Sequence, residues 1–245
     1  MEDRPKLNIT WNVTDVFTSI IILVILLVGI YFGTVIIFGT GSTEEALEVT
    51  NISNFSFTLL YGIQVLLMIG VVWFFAIFWR KASLKDLGFR YYSILKTLWY
   101  TFLSLIGIFA LSFLYVFAMN SFFGIEAPSS KVEQLIRGGN ISSNILLVVV
   151  TVIAPLSEEL FFRGYLYSAC KKTWGVTAGL FLSSFFFALA HLEIYSFIPI
   201  FIIGWILAYI FEKTKSLFPV IFLHAVYNLI LILIMLGQVE MVKMY

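Results

Sequence analysis

The chain has 245 residues, of which 61% are hydrophobic and only 12% charged, with a mean hydropathy of +1.01. Soluble domains carry about 25% charged residues, so this composition indicates a protein that uses the lipid bilayer as its solvent. The 15 Lys and Arg residues nearly balance the 14 Asp and Glu residues, which excludes the basic excess typical of a nucleic-acid-binding protein. The one cysteine, Cys170, excludes an intramolecular disulfide.

Seven apolar runs follow one another along the chain. A helix of about 20 residues crosses the hydrocarbon core of a bilayer, and each run is close to that length. The sequence therefore predicts an all-α, polytopic transmembrane helix bundle with about seven spans, at 16–39, 57–79, 97–119, 144–169, 174–192, 195–212 and 217–237.

Basic residues indicate the orientation of these spans, because Lys and Arg are retained in cytoplasmic loops. With the N-terminus inside, eleven of the 15 basic residues fall in inner segments, against Lys131, Arg137 and Lys243 outside and Arg163 within a span. We expect an N-in, C-out topology in a multi-pass protein of a prokaryotic cell membrane.

Ionisable residues are unevenly distributed between the two halves of the chain. Apart from their ends, the first three spans contain no Asp, Glu, Lys, Arg or His, whereas both histidines lie in the last four spans. Ionisable groups in a membrane are expensive to bury and usually mark a functional site or a buried pair. We therefore divide one integrated membrane domain into N-terminal scaffold spans, 1–143, and catalytic core spans, 144–245.

The fourth span carries two adjacent acids followed by an arginine. Glu159 and Arg163 have the i,i+4 spacing that favours an ion pair on one helix face. Glu158 points about 100° away from Glu159, so it is left without this cation and is a candidate general base. Taken alone, the segment is also compatible with a buried charge cluster that has no chemical role.

Two further polar pairs share the i,i+4 spacing. On the fifth span, Phe187 can pack beside His191 and restrict its rotamers. On the seventh span, His224 and Asn228 can point into one cavity. A single histidine on a helix is more often a satisfied core residue than a catalyst, but three polar constellations on three spans would each carry a separate burial penalty.

In their order and spacing, these motifs resemble the CAAX-protease and bacteriocin-processing (CPBP, or Abi) family of intramembrane endopeptidases. The similarity covers about residues 144–237: Glu158-Glu159-x-x-x-Arg163, then Phe187-x-x-x-His191, then His224-x-x-x-Asn228. It implies a CAAX prenyl protease-like hydrolase that cleaves a peptide or protein substrate, such as a lipidated protein, a leader peptide or a pheromone precursor.

The resemblance also implies roles for the residues. Glu158 and His191 would activate water, and His224 and Asn228 would bind the oxyanion from the opposite wall of one cavity. Glu159 and Arg163 also match the motif, but their i,i+4 pairing assigns them to a structural pair that supports the site. Glu158, His191 and His224 could also form a zinc site, but using Glu158 as a ligand would remove the best base. No cofactor is required as a first choice, and a divalent metal such as Zn²⁺ is the alternative.

The depths of these residues argue against a simple convergence. At 1.5 Å per residue from the inner span ends, Glu158 lies about 18 Å deep, His191 about 25 Å and His224 about 10 Å. Two other functions also fit the motifs: a proton-coupled transporter using the same Glu, His and Arg, and a non-catalytic membrane immunity or assembly protein.

Overall fold

The computed structural model describes residues 7–38, 54–138 and 142–244. Over these ranges the chain is helical and has no β-strand, which confirms the predicted all-α class. The predicted first outer loop, with Glu44, Glu45 and Glu48, lies outside the described residues. The α-helices are α1 Val13–Phe38, α2 Asn54–Val72, α3 Ile94–Phe123, α4 Lys131–Gly138, α5 Ser143–Val148, α6 Ala154–Glu159, α7 Ser168–Ala190, α8 Phe197–Thr214 and α9 Leu217–Met244. Three π-helical segments continue them: π1 Trp73–Trp79, π2 Val149–Ile153 and π3 Leu160–Tyr167.

Six helical stretches within these ranges are long and apolar enough to cross a membrane. The longest, Ser143–Ala190, has 48 residues and would extend about 72 Å, more than twice the hydrocarbon thickness. Gly175 interrupts it with a non-helical φ of 86° and ψ of 176°. This break separates the predicted fourth and fifth spans. The chain is a multi-pass integral membrane protein.

The core of the bundle lies around the two spans joined at Gly175. In the membrane-crossing part of Ser143–Ala190, 56% of the residues are buried, against 6% in α3. α3 instead presents exposed aromatic side chains that suit a lipid-facing surface, among them Trp99, Phe102 and Phe113. The span that carries Glu158 and Glu159 is therefore central, and α3 is peripheral.

Residues before α1 attach the N-terminal half to this central span. Asn12 and Asp15 exchange backbone-to-side-chain hydrogen bonds of 3.0 Å and cap α1. Arg80, after π1, binds both Asp15 oxygens at 2.8 and 2.9 Å. The fully buried Trp11 donates its indole N–H to the Tyr165 carbonyl in π3 at 2.9 Å. The N-terminal segment thus holds π3 in place.

Candidate active site

π-helical backbone surrounds the acidic residues of the central span. α6, which contains Glu158 and Glu159, lies between π2 and π3. The wider π-helical turn is found frequently at functional sites. Carbonyls in these two segments also accept hydrogen bonds from other helices: Val150 O from Asn228 at 2.9 Å, and Phe162 O from Ser183 at 2.9 Å. The irregular backbone therefore joins the span to α7 and α9.

Glu159 and Arg163 form a completely buried ion pair. Arg163 Nη1 donates to Glu159 Oε1 at 2.8 Å, and both side chains are 0% exposed. Arg163 Nη2 donates to the Gly204 carbonyl at 3.1 Å, and the guanidinium lies 4.3 Å from the centroid of the Phe187 ring. These contacts match the i,i+4 pairing that the sequence favours, and they fix the cation between α7 and α8.

His224 joins this pair from α9. Its Nδ1 lies 2.8 Å from Glu159 Oε1, so Nδ1–H donates to an oxygen that also accepts from Arg163. Because the carboxylate can only accept here, the hydrogen bond directs Nε2 away from Glu159. A histidine held in this way by a carboxylate has a fixed ring orientation and tautomer.

Glu158 lies on the other side of the His224 ring. Glu158 Oε2 is 3.9 Å from His224 Nε2, which is longer than a hydrogen bond, and the Glu158 side chain is 21% exposed. Glu159 Oε2, in contrast, is buried without a hydrogen-bond partner among the described residues. The two adjacent carboxylates therefore differ: Glu159 is enclosed by Arg163 and His224, whereas Glu158 keeps access to solvent or substrate.

His191 lies at the end of α7, where Leu192 adopts a left-handed conformation with φ of 53°. Its Nδ1 is 2.8 Å from the Phe187 carbonyl, so Nδ1–H donates and Nε2 can accept a proton. The Phe187 ring lies 4.9 Å from the His191 ring and 5.7 Å from the His224 ring. Phe187 therefore contacts both imidazoles.

Asn228 lies one turn after His224 on α9, as predicted from the spacing. Its Nδ2 donates to the Val150 carbonyl of π2 at 2.9 Å. One N–H of the amide is thus used to hold α9 against the central span, and the second N–H of the same group is the donor available for the predicted oxyanion role.

The structure places the His224 imidazole next to both glutamates. The sequence instead predicts His191 as the imidazole beside Glu158, and that pairing stays a prediction. The contact between α9 and the central span joins residues 65 positions apart, so no local spacing reveals it.

The helix ends explain why His224 reaches this level. Leu217 N, at the start of α9, donates to Gly88 O at 2.8 Å. A Cβ atom on Gly164 would lie 2.8 Å from Leu87 O and 3.6 Å from Leu217 Cδ1. α9 therefore begins beside Gly164, five residues after Glu159. Depths counted from one common inner plane give a mismatch because α9 begins beside residue 164 and not beside the predicted end of the fourth span at residue 169.

The donor set does not fit a preassembled metal centre. Within 7–38, 54–138 and 142–244, no three His, Cys, Asp or Glu side chains converge closely enough to hold a metal ion. In His224 and His191, Nδ1 is engaged by Glu159 and by a backbone carbonyl, contacts that metal-bound imidazoles also make. The separation of the side chains, and not these hydrogen bonds, argues against a preassembled centre.

Two neighbours of the site were not anticipated. Tyr61 of α2, in the predicted scaffold half, lies close enough to Glu158 for the charge of that carboxylate to act on its hydroxyl. Gly204 of α8 supplies a carbonyl to Arg163, and a Cβ atom there would lie 3.1 Å from Ser184 Cα. Neither Tyr61 nor Gly204 belongs to one of the three polar motifs. The only sign of Tyr61 in the sequence is a tyrosine inside an apolar run, and Gly204 gives none.

Sequence comparisons agree with the geometry. Residues 140–230 match the sequence model of the family described as type II CAAX prenyl endopeptidase Rce1-like. A segment of 97 residues is 28% identical to the Bacillus subtilis (strain 168) protein named "Putative membrane peptidase YdiL", covering 39% of this chain and 39% of that protein. No solved structure matches the chain. Residues 140–230, which contain all three motifs, are therefore similar to this endopeptidase family.

Proposed function

We propose that this protein is an intramembrane endopeptidase that hydrolyses a peptide bond in or near the membrane with water activated by Glu158. The family match and the peptidase relative support an intramembrane protease. The observation that carries the proposal is the meeting of Glu158 and His224, from two different spans, with atoms 3.9 Å apart.

Glu158 has the position of a general base. Its carboxylate is partly accessible and lies beside, but not within hydrogen-bond distance of, His224 Nε2. In the proposed reaction, water attacks the carbonyl carbon of the scissile bond and gives one proton to Glu158. The same carboxyl group then protonates the leaving amine when the C–N bond breaks, so the proton balance closes within one residue.

In this proposal, His224 donates a hydrogen bond to the oxyanion. Glu159, itself paired with Arg163, accepts from Nδ1–H and turns Nε2 towards Glu158, where an N–H on Nε2 donates to the developing oxyanion. Asn228 supplies a second donor from the same helix. Such donors act best when they are oriented before the reaction. His224 is oriented by its hydrogen bond to Glu159, and Asn228 by its hydrogen bond to the Val150 carbonyl.

His191 assists Glu158 in this proposal through Nε2, which the bond to the Phe187 carbonyl leaves as the proton-accepting nitrogen. No step of this proposal needs a metal ion, because the chain's own side chains supply the base, the acid and the oxyanion donors. The substrate is a peptide or protein segment close to the bilayer; prenylated C-terminal peptides, leader peptides and pheromone precursors are the classes proposed from the family.

The test is hydrolysis of a labelled peptide library, including prenylated peptides, by the purified protein in liposomes. We expect defined cleavage products by mass spectrometry for the wild type and none for Glu158→Ala at equal protein and equal folded fraction. Products that are identical with Glu158→Ala would indicate a contaminating protease. Absence of cleavage together with Glu158-dependent proton uptake into the liposomes would support the transporter instead.

A further inference from the structure

A second cavity, separate from the residues of the active site, lies where α7 and α8 approach each other at the end of the bundle that the basic residues predict to be cytoplasmic. Its volume is about 310 Å³, the lower end of the range for small-molecule sites. The polar part of its lining consists of Tyr167, Ser168, Lys171, Lys172, Glu212 and Lys215. Three ammonium groups and one carboxylate therefore face one space, and the cavity has an excess of two positive charges.

Hydrogen bonds hold the ammonium groups of Lys171 and Lys172 in place, and an ion pair holds that of Lys215. Lys171 Nζ lies 2.8 and 2.7 Å from the two Glu212 oxygens, and Lys215 Nζ lies 2.5 Å from Glu212 Oε1. Lys172 Nζ donates to the carbonyls of Ile9 and Trp11 at 2.9 and 3.2 Å. Contacts within the protein therefore direct these three lysines towards the cavity, including Lys172, which is itself exposed.

Lys215 has a backbone conformation that is unfavourable for a lysine. It follows α8 in the left-handed conformation, with φ of 53°, where glycine or asparagine would be less strained. Burial, opposed by the ion pair with Glu212, lowers the pKa of Lys215 to about 8. A single carboxylate shared among Lys171, Lys215 and the Tyr167 hydroxyl does not fully compensate this cation, so an additional anion would stabilise it.

We propose that this cavity binds a phosphate group. Lysines bind phosphate as point charges, and a phosphate group offers several acceptor oxygens to cations that converge from different sides. Leu7, Ile9 and Phe211 complete the lining with apolar surface. This combination suits the phosphate of an anionic phospholipid, whose glycerol and first methylenes need apolar contact, while a small phosphorylated solute would use the same cations.

Two probes distinguish these sources in the purified full-length chain. The first is thermal stability in detergent with inorganic phosphate against sodium chloride at equal ionic strength. The second is thermal stability in nanodiscs of phosphatidylglycerol mixed with phosphatidylcholine against phosphatidylcholine alone. Stabilisation by both probes indicates a site for phosphate in general. Stabilisation only by phosphatidylglycerol indicates a lipid site. Stabilisation by neither overturns the proposal.

Variants locate the effect. Lys215→Gln should weaken binding of the effective probe about fivefold, the contribution expected of one lysine near an anionic membrane surface. Glu212→Gln removes the competing carboxylate and should strengthen binding, an opposite change that misfolding cannot imitate. Lys213→Gln is the matched control, because Lys213 lies over the Tyr209 ring and does not line the cavity. Equal weakening by Lys213→Gln and Lys215→Gln, or weakening by Glu212→Gln, would refute the site.

Discussion

His224 is bound to Glu159, at 2.8 Å, and not to the neighbouring Glu158, at 3.9 Å. This difference assigns the two adjacent acids to separate tasks. Glu159 connects Arg163 to the imidazole and is enclosed by both, so it orients the ring. Glu158 remains accessible and close to the same imidazole, which is the arrangement that a base needs beside an oxyanion donor.

Arg163→Ala should strongly destabilise the protein. The substitution leaves Glu159 buried with one partner fewer and removes the contacts to Gly204 and Phe187. Breaking a buried pair in this way costs about 3–5 kcal/mol. The measurement is thermal unfolding in detergent, followed by fluorescence-detected size exclusion.

Arg137→Ala is the matched control for that experiment. Arg137 forms an i,i+4 pair with Glu133 at 2.7 Å, but its side chain is 49% exposed. Pairs exposed to this degree contribute about 0–1 kcal/mol, so this variant should remain close to wild type. Equal melting temperatures for Arg163→Ala and Arg137→Ala would contradict the structural role of the buried pair.

Glu158→Gln should lower kcat by about 10² or more, the low end of what general-base catalysis contributes, and leave KM nearly unchanged. The amide keeps the shape of the side chain but cannot take a proton from water. Its melting temperature should equal that of the wild type, because Glu158 is not part of the buried ion pair. A proportional rise in KM with unchanged kcat would indicate that Glu158 only binds substrate.

The sequence predicts well those features that rest on composition and local spacing. Apolar runs identify the spans, and the i,i+4 spacing of Glu159 and Arg163 corresponds to a direct contact. The Phe187 and His191 spacing likewise corresponds to adjacent rings. In each case the interacting groups lie on one helix, so the helical repeat alone fixes their separation.

Contacts between spans cannot be predicted from spacing within one helix. The bond between His224 and Glu159 depends on the level at which α9 begins, and that level is set by Leu217 against Gly88 and Gly164. Gly88 and Gly164 have no polar side chain that would mark this contact in the sequence. The π-helical segments also change which carbonyls are available, and the sequence gives no indication that Val150 would accept a hydrogen bond from Asn228.

The predicted N-in topology can be tested with cysteine labelling. In a Cys170→Ser background, Ser129→Cys should react with an impermeant thiol reagent added to intact cells, because residue 129 is exposed on the predicted outer side. Ser83→Cys is also exposed but should react only after permeabilisation. The reverse pattern would place the phosphate cavity on the outer face and show that the basic residues misled the assignment.

Chelation should leave peptidase activity unchanged. Among the described residues no three candidate ligands converge, and Glu159 already binds both Arg163 and His224. Dialysis against EDTA and then 1,10-phenanthroline, followed by a rate assay, provides the measurement. Loss of activity that added Zn²⁺ restores would show that Glu158, His191 and His224 move together when substrate binds.

Tyr61→Phe tests whether the N-terminal half is only a scaffold. Tyr61 belongs to α2, and its hydroxyl interacts electrostatically with Glu158. If this hydroxyl positions the base or the attacking water, its removal should lower kcat about tenfold, because hydrogen bonds to charged groups contribute about 1.5–3 kcal/mol. The aromatic ring, which stacks on Phe57 at 5.9 Å, is retained, so the melting temperature should not change.

Tyr209→Phe provides the control, since Tyr209 is 47% exposed on α8 and its ring remains available to Lys213. This variant should keep wild-type kcat and KM. A tenfold loss in Tyr61→Phe alone, at equal folded fraction, would place a catalytically relevant hydroxyl in residues 1–143 and would extend the active site beyond the four core spans. Equal activity of the two variants would instead show that the Tyr61 hydroxyl is dispensable for the reaction.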